Sequence, residues 1–253
     1  MLSKRVIPVL LLTNKGLVKT IQFKNPTYVG DPINAVRIFN EKEIDELVFL
    51  DITASTNGTE PNYAMVQDIA TECFMPFGYG GGITSLDQIK KLFQLGVEKV
   101  ILNSIVYSNP HLITEAANIF GSQSIICSVD VRKNVWGNYE LYSHSASKKQ
   151  KVELLSHLKN LVSYGTGEIF VNSIDKDGIM KGYDIDLIMK ITESINIPVV
   201  CCGGAGSMEH LKDVFSSTQV SGLAAGSLFV FHGRHKAVLI NYPTQKELKK
   251  FII

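Results

Sequence analysis

A chain of 253 residues, 45% apolar and 19% charged, is long enough for one large α/β barrel or two small domains, and it carries enough apolar side chains for a sizeable core. The formal net charge is +1 and the longest basic block is Lys148-Lys149-Gln150-Lys151, which reads as a solvated helix start, so no nucleic-acid partner is expected. No stretch approaches the roughly 20 apolar residues that a membrane span needs, and no membrane association is expected.

From the start of the chain, MLSKRVIPVLLL has too short an apolar run and no small-residue cleavage site for a signal peptide; it reads as a first strand, Val6–Leu12. Further strands are read at Glu46–Thr53, Met75–Tyr79, Lys99–Asn103, Ser124–Val131, Glu168–Ser173, Pro198–Cys202 and Gly222–Ala225. Helical periodicity falls between them at Pro32–Lys42, Tyr63–Thr71, Ser85–Leu95, Pro110–Phe120, Lys151–Tyr164, Asp186–Ser194 and Ser207–Val214. A helical tail is read at Lys236–Ile240 and Gln245–Ile252. Apolar strands alternating with amphipathic helices predict a closed parallel (β/α)8 TIM barrel occupying residues 1–253 as one domain. Cys73, Cys127, Cys201 and Cys202 lie in or beside strands without metal-ligand spacing and read as reduced core residues of a cytoplasmic protein. Cys201 and Cys202, being adjacent, are expected on opposite faces of their strand. Neither a metal nor a cofactor is expected, because the six histidines show no ligand clustering.

Two strand-then-glycine segments, MPFGYGGGI and IPVVCCGGAG, place Gly81-Gly82 and Gly203-Gly204 at an offset of 122 positions. Ser104 and Ser227, which follow the next strand in each case, are 123 positions apart. Such constant spacing predicts two half-barrel repeats, about 1–122 and 123–253. Glycines without Cβ atoms let backbone N–H groups approach an anion, so two opposed phosphate cradles at the carboxyl ends of the strands are expected. The inferred ligand is elongated, with a phosphate at each end. Between those ends Asp130 is the best-placed carboxylate for general acid–base work, with a turn or cap role as the alternative. Asp51 closes a strand and is either catalytic or a binder of loop amides.

Beyond these patterns, DELVFLDITAS (Asp45–Ser55), GGGI (Gly80–Ile83), EKVILNS (Glu98–Ser104), SNP (Ser108–Pro110), FGSQSII (Phe120–Ile126), DKDGIMKGYD (Asp175–Asp184) and CGGAGSMEHL (Cys202–Leu211) resemble the HisF family from end to end. HisF is the cyclase subunit of imidazole glycerol phosphate synthase, a step of histidine biosynthesis. The resemblance implies a heterodimer with a HisH-like glutaminase docked on the barrel floor, whose ammonia crosses the barrel interior to a bis-phosphorylated substrate. It implies that Lys19, Gly82, Asn103 and Ser104 serve one phosphate, and Asp177, Gly178, Gly204 and Ser227 the other. It also implies a ring of gate charges at the floor, matched by Arg5, Glu46, Lys99 and Glu168.

One departure bears on the chemistry. The family uses two aspartates, at the ends of strands one and five; the second is Asp130, but the first position holds Leu11, which cannot exchange a proton. Thr13-Asn14-Lys15 replaces the family's charged turn, Thr20 a glycine, and Asn172 the usual threonine. HisF-like proteins lacking this aspartate resemble ammonia-delivering subunits from bacterial surface-polysaccharide gene clusters, where a sugar acetamido group becomes an acetamidino group. A non-catalytic partner that activates a glutaminase is the alternative in another class. The sister sugar isomerase also needs an aspartate on strand one, so Leu11 argues against it.

Overall fold

A computed structural model describes residues 4–250. Among these residues eight parallel strands follow one another around a barrel: β1 Arg5–Thr13, β2 Leu47–Asp51, β3 Phe77–Gly80, β4 Lys99–Leu102, β5 Ile125–Lys133, β6 Glu168–Ser173, β7 Val199–Cys202 and β8 Gly222–Ala225. Each pairs in parallel with the next, and β8 pairs with β1 through Arg5↔Gly222 to Pro8↔Ala225, which closes the sheet and leaves no edge. The (β/α)8 expectation holds.

The intervening helices are α1 Pro32–Glu41, α2 Tyr63–Glu72, α3 Leu86–Gln94, α4 His111–Phe120, α5 Leu154–Ser163, α6 Ile185–Thr192 and α7 Met208–Ser217. Their starts follow from local chemistry. Asp31 accepts the Asn34 N–H ahead of Pro32, Ser85 and Gln88 form a reciprocal cap, and the Glu153 carboxylate accepts from Leu155 and Ser156. Each helix lays an apolar stripe on the barrel, as α3 does with Ile89 and Leu92.

Alternation along the strands splits the core in two. Outward residues such as Val6, Leu10, Phe49, Tyr79 and Cys201 pack under the helices. Inward residues Ile7, Val9, Val48, Ile101, Ile126, Phe170, Val200 and Ala224 fill the barrel, with Leu11, Leu50 and Cys202 packed on them from the mouth side. Cys201 and Cys202 thus face opposite ways, and all four cysteines are free thiols.

Several sequence expectations need correction. Strands β1 and β5, nine residues each, overrun the rim and turn back as antiparallel hairpins that the sequence reading lacked: Gly16–Ile21 with Lys24–Gly30, and Tyr139–Ser143 with Lys148–Lys149. Lys148-Lys149 is therefore a strand rather than a helix start, and α5 begins at Leu154 under the Glu153 cap. Lys236–Ile240 is not helical; Ala237–Val238 pairs with Phe231–His232 around a turn in which Gly233 has φ +69°. The strand β8 is followed only by the single turn Ser227–Val230, and the tail helix is Gln245–Leu248. Residues 251 and 252 of the expected tail lie outside the described residues.

Candidate active site

The carboxyl ends of the strands open on a cavity of about 1170 Å³, part of it open to solvent. Every mouth residue singled out from the sequence lines it: Lys19, Gly82, Asn103, Ser104, Asp130, Asp177, Gly178, Gly204 and Ser227. They gather at two ends. At one, Gly82 holds φ +71° with the Thr59 carbonyl so close that a Cβ would collide with it. Ser104 opens the 3-10 turn Ser104–Tyr107, its Oγ accepts the His144 N–H at 3.2 Å, and the buried Asn103 Oδ1 has no partner among the described residues. At the other, Gly204 has φ +108° and abuts the Gly182 carbonyl, and Ser227 opens the turn after β8.

Asp177 and Gly178 join this second end to the hairpin Gly16–Gly30. The Thr20 hydroxyl and the Phe23 N–H donate to Asp177 Oδ2 at 2.7 and 3.1 Å, and Gln22 N–H donates to the Asp177 carbonyl at 3.0 Å. Gly178 faces the Thr20 carbonyl where a Cβ would not fit. Thr20, in the position of a family glycine, therefore ties the hairpin down over the mouth.

Lys19 is buried and donates its Nζ hydrogen to the Val9 carbonyl at 2.9 Å. Burial pushes its ammonium pKa down, while the Asp177 charge works in the opposite direction. It lies against Gly226, close enough that any Cβ there would strike Nζ. This places Lys19 beside Gly226 in the same cavity as Gly82, Asn103 and Ser104, with which the resemblance groups it.

Asp130 sits in the middle. Burial raises its carboxyl from an ordinary 3.8 to about 6, and hydrogen bonds from Asn172 and Asn103 limit the rise. Asn172 Nδ2 lies 2.9 Å from Asp130 Oδ1 and 3.1 Å from Ser128 Oγ. Asn172 is the register partner of Asp130 across β5 and β6, and Ser128, two residues before Asp130, shares its face. Sequence reading noted Asn172 only as a departure; aligning the two strand ends would have revealed the pairing. It gave no role to His144, which also lines the cavity and whose loop carries no periodic pattern.

Leu11 and Leu50 are cross-strand partners on the apolar side of the cavity, so the position opposite Asp130 in strand order offers hydrocarbon. Asp51 holds the turn after β2. Its Oδ1 takes three donors, the Thr53 N–H and hydroxyl at 2.8 Å each and the Ala54 N–H at 3.0 Å, which is the signature of a turn-holding side chain.

At the amino ends of the strands the four expected charges meet. Arg5 bridges Glu46 at 2.6 Å and Glu168 at 2.7 Å, and Lys99 reaches Glu46 at 2.6 Å. Glu168 Oε1 is buried without a partner among the described residues, so the four form an open chain, Glu168–Arg5–Glu46–Lys99, instead of a ring. Both carboxylates are buried, which makes the pairing obligatory.

The closed (β/α)8 sheet thus carries glycine–serine loops at two ends of its mouth, a buried carboxyl and an ion-paired floor. The model of the family described as histidine biosynthesis protein matches residues 5–236, and the chain belongs to that family. Within it the similarity is to HisF. The chain is 52% identical over 248 residues to a Pseudomonas aeruginosa protein provisionally named imidazole glycerol phosphate synthase subunit hisF2, covering 98% of this chain and 99% of that one. It is 51% identical over 250 residues to a Leptospira borgpetersenii protein provisionally named as the HisF subunit, covering 98% of each. To the imidazole glycerol phosphate synthase subunit HisF of Streptococcus mutans it is 41% identical over 229 residues, 90% of this chain and 91% of that one.

Proposed function

We propose that this chain is the synthase subunit of a glutamine amidotransferase pair of the imidazole glycerol phosphate synthase type. A HisH-like glutaminase docks beneath the floor, ammonia crosses the barrel, and an acceptor with a phosphate at each end spans the mouth. The observation that carries this reading is the polarity of one molecule: linked charges at the amino ends, anion-sized glycine–serine loops at the carboxyl ends, and a mainly apolar interior between them. Apolar walls favour neutral NH3 over ammonium, because an unpaired ion in hydrocarbon is strongly disfavoured. The interior is filled, so passage in this reading requires side chains such as Phe170 and Ile101 to move.

Gly82, Asn103 and Ser104 then receive one phosphate. Gly178, Gly204 and Ser227 receive the other with Lys19 beside them, while Asp177, its carboxylate engaged by the hairpin, secures the cover. Asp130, with a pKa of about 6, exists in both protonation states near neutral pH and serves as acid and base in turn. Lacking a partner carboxylate at Leu11, the ordinary cyclase reaction is expected to be weaker by roughly 10² to 10⁴. The chain works in the cytoplasm, where free thiols persist.

Leu11 favours a second reading: ammonia delivery is retained, but the acceptor differs, as in acetamidino modification of a surface-polysaccharide sugar, or the barrel only activates its glutaminase. Turnover of the bis-phosphorylated ribulosyl intermediate with ammonium salts separates these. The first reading predicts slow turnover that Leu11→Asp raises by about 10²-fold. A wild-type rate equal to that of ordinary cyclases would refute the role given to Leu11, and no turnover in either form supports the second reading.

A further inference from the structure

We propose that His144 binds the anionic acceptor at the Gly82–Ser104 end of the mouth, donating its Nε2–H to the phosphate there. This rests on the mouth being the acceptor site. His144 lines both the main cavity and an adjoining recess, and the two spaces share Ser55, Gly82 and Ser104. It stands where the glycine–serine loop meets both.

The loop holds it there under strain. His144, Ser145 and Ala146 have φ of +52°, +53° and +64°, three successive non-glycine residues in the left-handed region, each disfavoured by roughly 1 kcal/mol. Two bonds fix this conformation over the mouth: the His144 N–H donates to Ser104 Oγ at 3.2 Å, and the Ser145 hydroxyl donates to the Ile52 carbonyl at 2.7 Å. The ring is oriented too. Gln150 Nε2 donates to Ser143 Oγ at 2.7 Å, and Ser143 Oγ lies 2.8 Å from His144 Nδ1. Ser143 is fully buried, so its single hydroxyl hydrogen needs an acceptor, and with the Gln150 amide donating to it, Nδ1 is the one within reach. That assigns the ring hydrogen of the neutral imidazole to Nε2, which has no hydrogen-bond partner among the described residues.

Charge completes the case. The titratable side chains lining the main cavity are Lys19, Asp51, Asp130, His144, Asp177 and the Cys202 thiol. Lys19 belongs to the Gly226–Asp177 end. An anion at the Gly82–Ser104 end therefore meets His144 from the main cavity and Lys148 from the adjoining recess.

The test is an NMR titration of the whole chain, labelled with 15N, using inorganic phosphate as the probe. In wild type the Ser104 amide and the His144 Nε2 resonance are expected to move together, while the Ser227 amide reports the other end. His144→Asn keeps a residue that tolerates the left-handed backbone but removes the imidazole. It is expected to weaken phosphate binding at Ser104 about tenfold and leave the Ser227 end unchanged. Unchanged affinity at Ser104 in this variant overturns the role of His144 while the mouth reading stands. Phosphate that moves Ser104 but not Nε2 in the unmodified protein overturns it as well, without relying on any variant. Phosphate that moves neither end overturns both.

Discussion

Asp130 is pulled two ways. Burial penalises its charge, and the Asn172 amide 2.9 Å away favours it, with a net carboxyl pKa of about 6. A folded-state value above the ordinary 3.8 means that this group's stability contribution is complete below about pH 4 and is lost as pH rises through 6. Replacing Asp130 by Asn removes that loss. Urea unfolding should show Asp130→Asn more stable than wild type by about 3 kcal/mol at pH 7.5, with little difference near pH 4, although its turnover falls 10²-fold or more. Equal stability at both pH values would show that the carboxylate is not desolvated. Asn172→Ala removes a donor to the charged form, so the acid limb of the pH–rate profile should move above pH 6; a profile that does not shift contradicts the positioning role.

The decisive elements around the site are the two hairpins that extend β1 and β5. The first is fastened to the loop after β6 through Thr20, Gln22 and Phe23. Gly178→Ala places a Cβ against the Thr20 carbonyl at a φ of +69°. The variant should release the hairpin, seen as faster limited proteolysis between Gly16 and Gly30 with a loss of roughly 1–3 kcal/mol in stability. Proteolysis at the wild-type rate would mean that the fastening is not what closes the mouth. These hairpins were the part of the fold that periodicity did not reveal. The barrel strands announce themselves by Val, Ile and Leu runs, because both faces are buried. The run Leu17-Val18-Lys19-Thr20-Ile21 mixes a lysine and a threonine that turn out to be buried with an isoleucine that is half exposed. Strand β2 was read from Glu46 to Thr53 but ends at Asp51, where the side chain turns the chain by taking Thr53 and Ala54 amides. The glycine and serine positions of the mouth were legible because each strand end exposes its own chemistry. The tuning of Asp130 was not, since it depends on a residue 42 positions away brought beside it by strand register.

At the scale of the molecule, the floor and the mouth are linked by the same strands. β1 carries Arg5 at one end and Leu11 near the other, and β6 carries Glu168 and Asn172. Arg5→Ala would leave Glu46 and Glu168, both buried, without their shared cation, and chemical denaturation should register a loss of about 3 kcal/mol. A loss below about 1 kcal/mol would show the floor carboxylates to be solvated instead.

Docking of a glutaminase on this floor, where Arg5, Glu46, Lys99 and Glu168 meet, underlies the proposed function. It is tested most directly by mixing the purified chain with the HisH-like glutaminase subunit of the same organism and measuring glutamine hydrolysis against the mixing ratio. Hydrolysis should rise at least tenfold and saturate at one barrel per glutaminase. Hydrolysis that stays at the level of the isolated glutaminase at every ratio would contradict it.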